Sequence, residues 1–247
     1  MNKMNPTLFD AIFNNSKRNG KDDFPTSNMW KSEINKWLLF IQSKNQLDRY
    51  RPRLINVSKP KRDETLAEIC AAYTIEKNLG YPIISWEEKT VNGKDVDFII
   101  LDNTKKIYCE VKSPGWESEL EQKERLNERK KLPKHINGEV RSIAPWEAIR
   151  HTIKKSYEKF LPNCTNLVIM KDDLFVNVID NPGNIVDIAL FEEHGAYCNE
   201  KGYFASKDFE NVGGILCLHC KLRAKIEYGY KFIANPNAIN SLHVKTI

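Results

Sequence analysis

The sequence predicts an α/β fold with a helical N-terminal extension. Three observations point to it. Helix-spaced apolar stripes recur at Trp30 to Ile41 and at Trp146 to Phe160. Between them, after a further helix, lie three short strand-like runs, "PIISWEE", "DVDFIILD" and "KKIYCEVK". After them comes "NLVIM", an apolar run continuous enough to be a strand buried on both faces. The chain has 247 residues, enough for a sizeable core in one large domain, or in a core domain with an added element.

Along the chain, residues 1–62 read as a helical region with polar interruptions. A loop spans Asn15 to Asn28, and an amphipathic helix follows, carrying Trp30, Ile34, Trp37, Leu38 and Ile41. "RYRPRLINVSKPKRD" then crowds Arg49, Arg51, Arg53, Lys59, Lys61 and Arg62 into a stretch broken by Pro52 and Pro60, and reads as a basic connecting segment. Asp63 is the expected N-cap of a helix from Glu64 to about Asn78, ended by Gly80 and Pro82. Ala71, Ala72, Ile75 and Leu79 form its apolar stripe, and Glu68 sits on that stripe, a carboxylate on the core side.

The three strands follow, with "DNTKK" as the hairpin turn between the second and third. Residues 118–131 read as a highly charged helix, residues 146–160 as an amphipathic one, and "NLVIM" and "LFVNVI" as strands. Residues 185–210 are ambiguous, and "GGILCLHC" and "GYKFIA" close the chain as strands.

Composition excludes several classes. Hydrophobic residues make up 41% and charged residues 29%, ordinary for a soluble globular protein, and no apolar run is long enough to span a bilayer. The first residues carry no apolar signal segment, so the expected location is cytoplasmic. Six irregularly spaced cysteines suit reduced, mostly buried thiols. The net charge of +5 is compatible with a polyanionic partner but decides little by itself.

The chemistry concentrates around Glu110 and Lys112. Strand alternation puts Tyr108, Glu110 and Lys112 on one face and Ile107, Cys109 and Val111 on the other. On the preceding strand Asp95 and Asp97 share a face, opposite Val96, Phe98 and Ile100. In a hairpin, Asp97 falls across from the end of the next strand, so that Asp97, Glu110 and Lys112 converge beside the helix bearing Glu68. Two close carboxylates repel unless a cation sits between them, and Mg²⁺ is a hard ion that takes oxygen ligands. A nearby lysine can orient a water or steady charge developing on phosphorus.

Asp97, twelve residues and then Glu110-Val111-Lys112 resemble the PD-(D/E)XK nuclease superfamily, with an acidic residue at the start of one strand and E-x-K on the next. Val96 stands where the family's name has proline. The resemblance covers roughly residues 63–170. It implies a restriction-endonuclease-like α-β-β-β-α-β core with a central mixed sheet flanked by helices, in a nuclease-like domain over 63–247, after an extension over 1–62. It implies Asp97, Glu110, the backbone of Val111 and the helix-borne Glu68 as metal ligands, and Lys112 as the group that positions the attacking water. The catalytic set is then Glu68, Asp97, Glu110 and Lys112. Glu64 and Glu76 remain rivals of Glu68, and Asp95 a rival of Asp97.

The function expected is Mg²⁺-dependent phosphodiester hydrolysis, with Mn²⁺ able to substitute, foremost as an endonuclease on DNA. A non-cleaving nucleic-acid-binding module of a defence or repair complex is the alternative. Arg51, Arg53, Lys61, Arg62, Lys130, Lys131 and Lys154 are the candidate phosphate contacts, and the polar side of the 146–160 helix adds Arg150 and Lys155. Ion pairing on a solvated helix is the competing reading of the charged run at 121–134. Cutting both strands of a duplex would favour a homodimer. Cys217-Leu218-His219-Cys220 suggests zinc, but in a strand its two cysteines point to opposite faces, so buried thiols are the expectation.

Overall fold

A computed structural model of the chain describes residues 7–13, 27–55, 57–87, 95–113, 145–171, 185–191 and 201–243. Its helices are α1 (Leu8–Phe13), α2 (Asn28–Ser43), α3 (Leu47–Leu54), α4 (Lys59–Tyr73), α5 (Pro145–Tyr157) and α6 (Ile185–Leu190). Its strands are β1 (Ile83–Trp86), β2 (Phe98–Asp102), β3 (Lys105–Lys112), β4 (Thr165–Lys171), β5 (Val212–Leu222) and β6 (Ile226–Ala234).

The strands form one six-stranded mixed sheet in the order β1-β2-β3-β4-β5-β6. β1, β2 and β3 are antiparallel, β3, β4 and β5 are parallel, and β6 returns antiparallel to β5. The order α4-β1-β2-β3-α5-β4 is the expected α-β-β-β-α-β unit, in a mixed sheet flanked by helices. Parallel pairing needs a long crossover, and α5 lies in the one between β3 and β4.

Strand alternation divides the core in two. Phe98, Ile100, Ile107, Cys109, Val111, Leu167 and Ile169 face the helices α1 to α4. Ile99, Val168, Met170, Ile215 and Cys217 face Ile149 and Ile153 of α5 and Val186 and Leu190 of α6. Every residue of β4 is buried, as its unbroken apolar run requires. Truncating Ile169 to alanine would cost about 2–5 kcal/mol in such a layer. Among the described residues no helix is long and apolar enough to cross a membrane.

Two helical boundaries differ from expectation. The basic stretch is not a connector, because Arg49, Arg51 and Arg53 lie on α3, with Pro52 in its last turn. Helix α4 begins at Lys59, behind Ser58 at the N-cap position, with Pro60 in the first turn. Proline is tolerated there because the first N–H groups of a helix have no internal partner. Asp63 therefore sits inside α4, and the boundary expected at 62/63 falls within that helix. The helix closes in a π turn, Thr74–Asn78, where the Leu79 N–H donates to the Thr74 carbonyl, and Gly80 ends it at φ 78°.

Cys70, Cys109, Cys217 and Cys220 are buried, with the Cys70 and Cys220 sulfurs 3.6 Å apart, and Cys164 is partly exposed. The charged helix at 118–131, the "LFVNVI" strand, Trp116, Lys130, Lys131 and Cys198 lie outside the described residues.

Candidate active site

The β2–β3 hairpin builds the site. Asn103, at φ 54°, turns the chain so that Asp102 pairs with Lys105 and, at the far end, Phe98 pairs with Cys109. Asp97, just before this pairing, is held against the end of β3. Its N–H donates to the Cys109 carbonyl at 3.1 Å, and its Oδ2 accepts the Val111 N–H at 2.6 Å. The alternation expected before β2 does not hold, since Val96 packs with the α5-side core while Phe98 and Ile100 face α4. The chain bends at Asp97 instead of entering the strand straight.

Glu110 is wholly buried, at 0% exposure, on a strand flanked by β2 and β4. Glu110 therefore does not lie on a solvated edge face. Tyr108 packs with the α5-side core and Ile107, Cys109 and Val111 with the other, as alternation requires. Lys112 Nζ donates to Glu110 Oε1 at 2.5 Å, and Lys159 Nζ lies 2.5 Å from the same oxygen. Glu110 Oε2 is buried with no hydrogen-bond partner among the described residues.

Glu68 reaches the site from α4. Arg53 of α3 grips both its oxygens, with Nη1 donating to Oε2 at 2.8 Å and Nη2 to Oε1. The rivals are placed elsewhere: Glu76 pairs with Lys44 at 2.6 Å and accepts the Ile83 N–H, and Glu64 is exposed. Asp95 is partly buried with Oδ1 unpaired, but Asp97 is the carboxylate bonded to β3.

Electrostatics reflect the crowding of like charge. Burial, then the Glu110 and Glu68 charges, push the Asp97 carboxyl up to about 8, against the pull of the Val111 N–H and Lys159. For Lys159, burial acts to lower the pKa, but the Glu110 charge and hydrogen bond outweigh it and the ammonium is held above its ordinary range. Tyr50 of α3 is raised by burial and then by Glu68, and its Oη is buried without a partner among the described residues.

The candidate phosphate contacts scatter. Arg51, Lys61 and Lys154 are exposed. Arg53 is engaged by Glu68, and Arg62 is 2% exposed, with Nε donating to Asp63 at 3.2 Å. Arg150 does not line a polar face: it is buried and donates to the Ala189 and Ile188 carbonyls at the end of α6. Cys217 and Cys220 sit on opposite faces of β5, as expected. His219 lies against Gly229, where a Cβ would come within 2.0 Å of its Nε2, so the imidazole fills a fitted structural slot.

Lys159 and Tyr50 were not singled out by sequence. Lys159 adjoins Phe160, the last residue of the α5 apolar stripe, and that adjacency is the one local hint that it lies near the core.

Among the described residues, no three His, Cys, Asp or Glu side chains already meet closely enough to enclose an ion. What the site offers is two neighbouring carboxylates, Asp97 and Glu110, one with a buried oxygen that has no partner among the described residues. All-oxygen donors and mutual repulsion suit a hard divalent cation, which often binds through one or two carboxylates and completes its shell with water and phosphate. The residues present fit Mg²⁺.

No family model matches the chain, and no curated protein matches it. Among solved structures it is similar to SfsA of Pyrococcus furiosus, solved in complex with Ca²⁺, at 17% identity and a TM-score of 0.25. The match covers 68% of this chain and 60% of that one, so the chain spans less than two thirds of that protein. A likeness that distant carries no function across.

Proposed function

We propose that this chain is a Mg²⁺-dependent nuclease of the PD-(D/E)XK type, an endonuclease that hydrolyses phosphodiester bonds in DNA. The observation that carries the reading is the Asp97 carboxylate bonded to the Val111 N–H at 2.6 Å, next to a fully buried Glu110 whose carboxylate lies 2.5 Å from the Lys112 ammonium. Burying a like-charged pair is costly, and a chain that keeps one beside a lysine at the end of a hairpin has a use for it.

Asp97 and Glu110 would hold the cation, with the Val111 backbone beside them. The bound cation supplies Lewis-acid activation of a water and of the phosphate. Lys112 orients the water and opposes negative charge on the phosphate oxygens. The Val111 N–H fixes the Asp97 carboxylate. Glu68 becomes a further ligand only by exchanging Arg53, and the released guanidinium suits a neighbouring phosphate. Cutting both strands of a duplex calls for two such centres, so a homodimer belongs to the same proposal.

Nicking of supercoiled plasmid, with single-stranded DNA and RNA alongside, tests the reading in Mg²⁺ or Mn²⁺. Glu110→Ala and Lys112→Ala are expected to abolish cutting, and undiminished cutting by both would sink it. The engagement of Glu68 by Arg53 favours one alternative, a binding module of this fold that does not cut, and salt-sensitive binding without cleavage would establish that instead.

A further inference from the structure

We propose that Lys159 is a second phosphate-holding lysine of this site, contacting the substrate backbone beside the bond that is cut. The inference rests on the nuclease reading and goes beyond it, because the E-x-K motif supplies only Lys112.

The first support is the uneven use of Glu110. Both lysine ammonium groups lie 2.5 Å from Oε1, while Oε2 has no partner among the described residues. One carboxylate balances one ammonium. Two converging on a single oxygen repel each other, so either is readily given up to another anion that arrives beside it.

Competition for that oxygen is the second support. A divalent cation held by Asp97 and Glu110 draws on the carboxylate charge that now holds the lysines. While Arg53 stays matched by Glu68, Lys112 and Lys159 are the cations on Glu110 that must find another anion. The anion that a phosphodiester substrate brings is the phosphate oxygen.

Anchoring supplies the third. Lys159 follows α5 in a tight turn, its N–H donating to the Ser156 carbonyl at 3.0 Å, and the next residue, Phe160, is locked into the core. Its side chain is 30% exposed, so it is partly open to water. Lys112 approaches from β3 and Lys159 from the end of α5. Two lysines on separate elements approach one phosphate group from different directions and so fix its orientation.

The test combines three readouts on wild type, Lys159→Ala and Lys159→Arg: binding of a labelled DNA duplex in Ca²⁺ across a salt series, kcat and KM for nicking in Mg²⁺, and Mn²⁺ affinity without DNA. Lys159→Ala is expected to weaken duplex binding about tenfold and to lower the slope of log affinity against log salt by about one. Lys159→Arg should recover most of the binding, and Mn²⁺ affinity should be undiminished in both. If Lys159→Ala melts early, Lys159→Met keeps the stem and answers the same question. Unchanged duplex affinity and salt slope, or a parallel loss of Mn²⁺ binding in all variants, would show that Lys159 only neutralises Glu110 and would overturn the proposal. Loss of cutting in Glu110→Ala and Lys112→Ala, with Lys159→Ala equal to wild type throughout, would sink this inference and leave the nuclease reading standing. A wild-type chain that neither cuts nor binds DNA removes both.

Discussion

Glu33 and Glu110 are both buried carboxylates, at 6% and 0% exposure, and their surroundings are opposite. Glu33, on α2, has both oxygens satisfied: Oε1 accepts the Tyr228 hydroxyl at 2.5 Å and Oε2 the Lys36 ammonium at 2.7 Å. Trp37 completes the cluster by donating to Tyr228 Oη at 2.6 Å, which ties α2 to β6. Glu110 has two cations on one oxygen and, among the described residues, no partner on the other, with the Asp97 and Glu68 carboxylates in the same electrostatic cluster. A fully satisfied buried carboxylate fastens a structure, whereas an unevenly satisfied one among like charges stores a cost that points to a ligand.

The comparison breaks most visibly in activity. Glu110→Gln or Lys112→Ala should reduce plasmid nicking by about a hundredfold or more, while Glu33→Gln should leave it near wild type. Equal losses from both glutamates would mean that Glu110, too, is only structural. The contrast then reverses in stability. Glu33→Ala strands the Tyr228 hydroxyl and the buried end of α2, and chemical denaturation should register a loss of about 1–3 kcal/mol.

The pH dependence sharpens the same contrast. Asp97 titrates near 8 in the folded chain against an ordinary 3.8, so between those values the folded state holds a proton that the unfolded state has released. Its contribution to stability is therefore full below about pH 4 and is lost as pH rises through 8, with a slope of at most about 1.4 kcal/mol per pH unit. With chelator present, denaturation of Asp97→Asn across this range should lack that decline. Parallel curves would mean that Asp97 is not strained by its neighbours. The smallest effect separates the helical glutamates: Glu68→Gln should cost more nicking activity than Glu64→Gln or Glu76→Gln, and the reverse order would reassign the ligand on α4.

Much of the site was legible because it is built from local pattern. The β2–β3 hairpin follows from two strand runs around "DNTKK", and its register brings the start of β2, next to Asp97, to the end of β3, next to Glu110. Alternation then separates Glu110 and Lys112 from Cys109 and Val111. Glu68 was visible as a carboxylate on an apolar stripe. The start of α4 was misplaced because Asp63 resembles an N-cap, and α3 was missed because Pro52 and Pro60 read as breakers, although Pro60 falls in a first turn, where a helix tolerates it, and the short α3 runs through Pro52. Lys159 with Glu110, and Arg53 with Glu68, are contacts between elements. No periodicity encodes them, and they follow only once the crossover through α5 and the packing of α3 on α4 are known.

The claim at the centre of this account is that Asp97 and Glu110 form a divalent-cation site and Glu33 does not. Titration of Mn²⁺ by calorimetry in the absence of DNA tests it most directly. Saturable binding should appear in the wild type and in Glu33→Gln, and should be lost in both Asp97→Asn and Glu110→Gln. Binding that survives unchanged in those two variants would contradict the account.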